Sequence, residues 1–319
     1  MKLFLGIDIG GTKIACLAAD EKGRVVKSDH FIIRHNQSPE RNIQELIRRI
    51  RRLISKKKIE GIGIGTPGPV NPASGKIPWS PNLAGWEGIP ISKIFKKAFH
   101  IPVFIENDAN VAALCEMKFG SGRGKKDLIY ITVSTGIGGG LILSGKLYSG
   151  HNFSGGELGH MTIIPDGNLC HCGKHGCIEA HASGTAIGDE AERVAGLYPG
   201  SLLGKIYEER GKLTSREVKE AAVKKDERAM AILKKAGRLL GAVVGNLINL
   251  LNPQMIVLGG GVMKGKGMEF LWNAMIESAK KESWPKPFRG CRIVRTKFRD
   301  DVGALGAVAL AIQNEKCKM

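Results

Sequence analysis

LFLGIDIGGTKIACLAAD, residues 3–20, holds two apolar runs separated by Gly10-Gly11-Thr12-Lys13. The runs read as strands and the glycine pair as the turn between them. Adjacent glycines let backbone N–H groups come close to a phosphate, and Thr12 and Lys13 add a hydroxyl and a charge. The plan returns in LIYITVSTGIGGGLIL, residues 128–143, and more loosely in MIVLGGGV, residues 255–262. One such loop alone reads equally well as a tight hairpin. Three strand-ending glycine loops in one chain argue for phosphate cradles. No G-x4-G-K-[ST] pattern is present and no G-x-G-x-x-G opens a helix, so neither a P-loop NTPase nor a dinucleotide-binding Rossmann domain is indicated.

Working outward, a third strand follows near 24–33. Ser38-Pro39 then stands as N-cap and first residue of a helix with Ile43, Leu46, Ile47, Ile50 and Ile54 on one face. A strand over 60–65 ends in TPGPVNP, and one over 101–105 ends in ENDAN and enters a helix over 109–119. Residues 216–251 read as largely helical, with Ile232, Leu233, Ala236, Leu239, Leu240, Val243, Val244 and Leu247 on one stripe, until Asn252-Pro253 stops it. Strands alternating with helices predict an α/β chain.

The chain has 319 residues, 43% of them hydrophobic and 24% charged, which suits a globular protein of about two domains. No apolar run approaches the roughly 18 residues of a membrane span, and Asp8 interrupts the first, so neither signal peptide nor membrane is expected. The default place is the cytoplasm, where thiols stay reduced. The net charge is +18. Much of it lies in helical runs (48–52, 56–58 and 205–228), where a solvated face is the simpler reading than a nucleic-acid surface.

Cysteine is concentrated as well. Cys170, Cys172 and Cys177 fall within eight positions, amid His160, His171 and His175, while the other four of the seven cysteines are scattered. An odd count leaves a disulfide framework with one thiol over, and a reduced compartment favours metal. Three cysteines and one histidine make a closed, structural zinc site. His160 has enough chain to turn back and complete it; His171 and His175 sit inside the knuckle.

DIGGTK (8–13), GTPGPV (65–70), PNLAGW (81–86), ENDAN (106–110), STGIGGG (134–140), GGELGH (155–160), CHCGKHGCIE (170–179) and LGGG (258–261) run in one order over nearly the whole chain. Together they resemble the ROK family of bacterial sugar kinases and related repressors, within the actin-like sugar kinase superfamily. The resemblance implies an α/β, actin-like (ribonuclease H-like) ATPase fold with two lobes around a central cleft. Residues 1–115 with 301–319 would form the smaller lobe and 116–300 the larger. It selects His160 with Cys170, Cys172 and Cys177 as zinc ligands. ATP with Mg2+ would meet Asp8, Gly10, Gly11, Thr12, Lys13, Thr135, Gly136, Gly138, Gly259 and Gly260. The sugar would meet Gly68, Asn82, Asn107, Asp108, Glu157, His160 and Glu179.

Asp108 is the candidate general base, since it lies just past a strand end, where open α/β sheets bind ligands. The competing reading makes it the N-cap of a helix beginning at Ala109. The expected reaction is ATP-dependent phosphorylation of a hexose hydroxyl, glucose first. An N-acetylmannosamine or N-acetylglucosamine kinase is the alternative, and a non-catalytic sugar sensor the third. The family's repressors carry a DNA-binding module ahead of the kinase-like part. Here the first phosphate strand begins at residue 3, so no nucleic-acid partner is expected. A homodimer or homotetramer is the family-level expectation.

Overall fold

The structure, a computed structural model, describes residues 2–55, 57–78, 80, 83–298 and 300–316. In chain order it begins with β1 (Leu3–Ile9), β2 (Lys13–Asp20), β3 (Val25–Ile32), α1 (Pro39–Ile54), β4 (Ile59–Thr66), α2 (Ile91–Phe99), β5 (Val103–Asn107) and α3 (Asp108–Phe119). There follow β6 (Leu128–Val133), β7 (Ile137–Leu143), β8 (Lys146–Tyr148), a 3-10 turn (Leu158–His160), α4 (Glu179–Ala182), α5 (Gly184–Leu197), α6 (Leu202–Arg210) and α7 (Ser215–Val223). The chain ends with α8 (Glu227–Leu251), β9 (Met255–Gly259), α9 (Met268–Glu282), α10 (Pro285–Gly290), β10 (Arg292–Arg295) and α11 (Val302–Lys316). Two compact units result: Met1–Tyr130 with Gly140–Gly156 and Thr296–Met319, and Ile131–Gly139 with Glu157–Arg295.

The first unit is built on a sheet of order β3-β2-β1-β4-β5. β1 pairs antiparallel with β2 and parallel with β4, and β4 pairs parallel with β5. Side chains alternate across β1, as the period of a strand requires. Leu3, Leu5, Ile7 and Ile9 join a core with Ile43, Leu46 and Ile50 of α1 and with Ile91 and Phe95 of α2. Phe4 faces the other way, to Cys115 of α3 and Ala304, Leu305 and Val308 of α11. On that face a Cβ at Gly63 would collide with the carbonyl of Ala307, so the glycine is what lets α11 lie on the backbone of the sheet. Ser38 caps α1 through the N–H of Arg41, as expected.

A second sheet runs β10-β9-β6-β7-β8. In the second unit, Gly237, Gly241 and Gly245 of α8 recur every fourth residue against α9, where added Cβ atoms would meet Leu271, Met275 and Glu282. The expected apolar stripe is buried, except that Leu239 is half-buried. Helicity across 216–251 is broken, however. Lys225 takes φ +66°, and Asp226 starts α8 afresh by accepting the N–H of Ala229 at 2.8 Å. A left-handed residue followed by a cap ends one helix and starts the next. Among the described residues, no helix is long and apolar enough to cross a membrane.

Candidate functional site

β1, β4 and β5 run parallel and end together. Asp8 lies beside Gly65, Gly65 beside Glu106, and Thr66 beside Asn107. Asp8, Thr66, Asn107 and Asp108 are thereby gathered at one edge of the sheet, the edge where parallel α/β sheets receive ligands. The first glycine turn stands at the end of β1. Gly10 N–H donates to the Lys13 carbonyl at 3.0 Å, and the side chains of Thr12 and Lys13 are exposed. The first turn of α11 comes so close that a Cβ at Gly303 would strike the Asp8 carboxylate. Asp8 is pushed up to about 7, first by burial and then by the charge of Asp108, with Lys13 acting in the opposite sense.

The start of α3 corrects the capping alternative. The residue in extended conformation is Asn107, with φ −61° and ψ 147°. Its Oδ1 accepts the N–H groups of Ala109 at 2.9 Å and Asn110 at 3.1 Å, and its Nδ2 donates to the Gly68 carbonyl at 3.1 Å. Asp108 is instead the first helical residue, and its Oδ1 accepts the neighbouring N–H of Ala109 at 2.8 Å. Glu106 carries no mark in the sequence beyond its place in ENDAN. This buried carboxylate accepts Asn107 N–H at 2.8 Å and Asn110 Nδ2 at 3.0 Å, and burial pushes it above the usual carboxylate range. Its spacing of four from Asn110 was the available signal. Thr66 Oγ1 and Asn110 Oδ1 are buried and find no partner among the described residues. Asn82 lies outside the described residues.

In the second unit, the 3-10 turn brings His160 onto the thiol loop. His160, Cys170, Cys172 and Cys177 each offer a ligand atom within 4.8 Å of the others. Cys172 Sγ stands 3.7 Å from Cys177 Sγ, and His160 Nδ1 3.7 Å from Cys170 Sγ. Sulfur ligands on a tetrahedral zinc, at 2.3 Å from the ion, stand about 3.8 Å apart, so this donor set fits a metal of that kind. His175 is turned elsewhere, its Nδ1 lying 2.9 Å from the Gly167 carbonyl. The other ring nitrogen of His160 faces Glu157, with Nε2 4.0 Å from Oε2. Glu157 is raised above the usual range by burial, a little more by Glu179, with His160 opposing.

The second glycine loop, 134–137, is held by the segment that leaves the knuckle. Ile137 N–H donates to Glu179 Oε2 at 2.8 Å, Gly184 N–H to the Ser134 carbonyl at 2.6 Å, and Thr185 Oγ1 to the Thr135 carbonyl at 2.9 Å. Glu179, read from sequence as a sugar contact, is thus bonded to the backbone of the second glycine loop. Gly138 lies within β7. Gly259 ends β9, and Gly260 has φ +94° with no room for a Cβ beside the Val133 carbonyl. A second residue missed by the sequence reading, Lys219, fastens the chain beyond. Its buried ammonium donates to the carbonyls of Gly261, Val262 and Lys264 at 3.2, 3.3 and 2.7 Å.

Known proteins resemble this chain along nearly its whole length. A glucokinase of Halalkalibacterium halodurans is 34% identical over 98% of this chain and 96% of its own. The solved ROK hexokinase of Thermus thermophilus is 33% identical, with TM-score 0.85 over 99% of both chains. A ROK family glucokinase from Streptomyces griseus, solved with glucose and AMPPNP, is 31% identical, with TM-score 0.82 over 98% of this chain and 99% of that one. The α/β, actin-like reading of the chain holds on these likenesses. Residues 4–314 match the sequence profile of the ROK family, and to that family the chain belongs.

Proposed function

We propose that this protein transfers the γ-phosphoryl group of ATP to the 6-hydroxyl of glucose, giving glucose 6-phosphate and ADP. The observation that carries the reading is the carboxylate pair Asp8 and Asp108 at the carboxyl ends of β1 and β5, with the cap of α3 assigned to Asn107. Relatives that are glucokinases, one of them solved with glucose and an ATP analogue, support it.

Phosphoryl transfer is catalysed by positioning and charge more than by covalent chemistry. Asp108 accepts the hydroxyl proton as the bond from that oxygen to the γ-phosphorus forms and the bond to the β,γ-bridging oxygen breaks. Asp8 would hold the magnesium ion that accompanies ATP, whose charge would offset that gathering on the phosphates. Gly10, Gly11, Thr12 and Lys13 belong to one phosphate turn. Thr135, Gly136 and Gly138 belong to the second, and Gly259 and Gly260 to the third loop. Gly68, Asn82, Asn107, Glu157, His160 and Glu179 recognise the sugar. Asn107 uses its Oδ1 and one Nδ2 hydrogen within the protein, so it keeps a single donor for a hydroxyl.

Zinc on His160, Cys170, Cys172 and Cys177 is structural in this reading, because four protein ligands leave no position for water. His160 would hold the ion by the ring nitrogen that lies beside Cys170 and turn the other toward Glu157, and carboxylates commonly support a metal-bound histidine in this way. The work is placed in the cytoplasm, where ATP is made.

The test is ATP with glucose, mannose, fructose, N-acetylmannosamine and N-acetylglucosamine. Glucose is expected to give the highest kcat/KM. A higher value for either N-acetylhexosamine would replace glucose as the substrate. Sugar binding without turnover of any of them would make the chain a sensor.

A further inference from the structure

Ile137 opens β7 directly after the second glycine loop, and the two halves of the metal site grip it from opposite sides. On one side its N–H donates to Oε2 of Glu179, the second residue after Cys177. On the other, Gly159, the residue before His160, packs so tightly on the Ile137 carbonyl that a Cβ there would overlap it. The chain between these points is also fixed. Ile178 is fully buried and its N–H donates to the Met161 carbonyl at 2.9 Å, and Cys177 bridges to Thr162. Beyond α4, Ser183 caps α5 through the N–H of Ala186 at 3.1 Å, and the next two residues hold Ser134 and Thr135. The glycine loop is therefore clamped by 179–185, and the origin of that clamp is the knuckle.

We infer that Glu179 is a positioning residue that couples the metal knuckle to the second glycine loop, so that the knuckle sets the affinity for nucleotide phosphate as well as for sugar. This rests on the phosphate-binding reading of that loop. Ser134 and Ile137 have their N–H groups engaged within the protein, Ser134 with the Gly136 carbonyl at 2.8 Å. The amides of Thr135 and Gly136 are then the ones presented to a phosphate, and their direction depends on where Ile137 is pinned. A Cβ on Gly136 would meet Glu179 Oε2, so a side chain there displaces the carboxylate from Ile137 N–H.

The experiment is calorimetric titration of the zinc-loaded protein with AMPPNP and Mg2+ in the absence of sugar, where a pure sugar contact has no effect. Glu179→Ala is expected to weaken AMPPNP roughly tenfold, the size of one charge-assisted hydrogen bond. Glu179→Gln keeps an acceptor oxygen for Ile137 N–H and is expected to stay within about twofold of wild type. Gly136→Ala provides a second route should Glu179→Ala fail to fold: it weakens AMPPNP in the wild-type background, and combining it with Glu179→Asp, which draws the carboxylate back from Gly136 and Ile137, gives a non-additive loss because both act on one contact. Glu179→Ala binding AMPPNP within twofold of wild type, while losing glucose affinity, overturns the inference and leaves Glu179 a sugar ligand only. So does strict additivity in the double variant. Wild-type protein that binds no AMPPNP overturns the kinase reading itself, and the inference with it.

Discussion

Asn107 Oδ1 accepts the N–H of Asn110 at 3.1 Å, which puts the cap of α3 one residue ahead of Asp108. Two residues that both favour helix caps stand side by side, and only one has the extended backbone that a cap needs. Asn107→Ala is expected to cost about 1–2 kcal/mol of stability. Asp108→Ala is expected to cost clearly less. Urea denaturation midpoints of the two variants check this. The reverse order would return the cap to Asp108.

Asp8 makes stability depend on pH with a definite sign. In the unfolded chain it ionises near 3.8, and in the folded protein at about 7. Between these values the folded state keeps a proton the unfolded state has lost, so stability falls as pH rises through that window. Below it, both states are protonated and the effect vanishes. A carboxyl raised that far carries up to roughly 4 kcal/mol above pH 7. Asp8→Asn in magnesium-free buffer is thus expected to stabilise the protein at pH 8 and hardly at pH 4. An equal effect at both values would contradict the assignment.

The knuckle is expected to bind about one zinc per chain, since four ligand atoms within 4.8 Å of one another suit a tetrahedral ion. Cys172→Ser is expected to lower the melting temperature and to raise the KM for sugar, because the segment carrying Glu179 loses its anchor. Metal analysis and thermal melts check the first two statements, and steady-state kinetics the third. Active, freshly purified protein without zinc would remove the metal from the account.

How far the sequence carried the reading depended on whether a signal was local. The strand–glycine–strand hairpin over 3–20 was legible because alternation and paired glycines are local. Ser38-Pro39 announced α1 for the same reason. The break between α7 and α8 was not, because no glycine or proline marks residues 223–228 and the left-handed turn falls on Lys225. Two adjacent cap-type residues left the start of α3 ambiguous by one position. Glu106 and Lys219 escaped notice because their meaning comes from burial and from partners that folding supplies. The contact of Glu179 with Ile137 spans 42 positions, and no spacing rule reaches that far. The cluster of cysteines was legible because thiols are rare and lie close in sequence, and folding brings His160 to it and turns His175 to the Gly167 carbonyl.

Replacing Asp108 by asparagine tests the central claim most directly. The substitution keeps the shape of the side chain and removes the proton acceptor. A positioned base contributes about 10²–10⁴-fold, roughly 3–5 kcal/mol of barrier. The account predicts a loss of that size in kcat and in kcat/KM alike for glucose with ATP. Glucose affinity should change far less, and the denaturation midpoint should stay near wild type, since Asn107 holds the cap. A folded Asp108→Asn protein that phosphorylates glucose at close to the wild-type kcat would contradict the account.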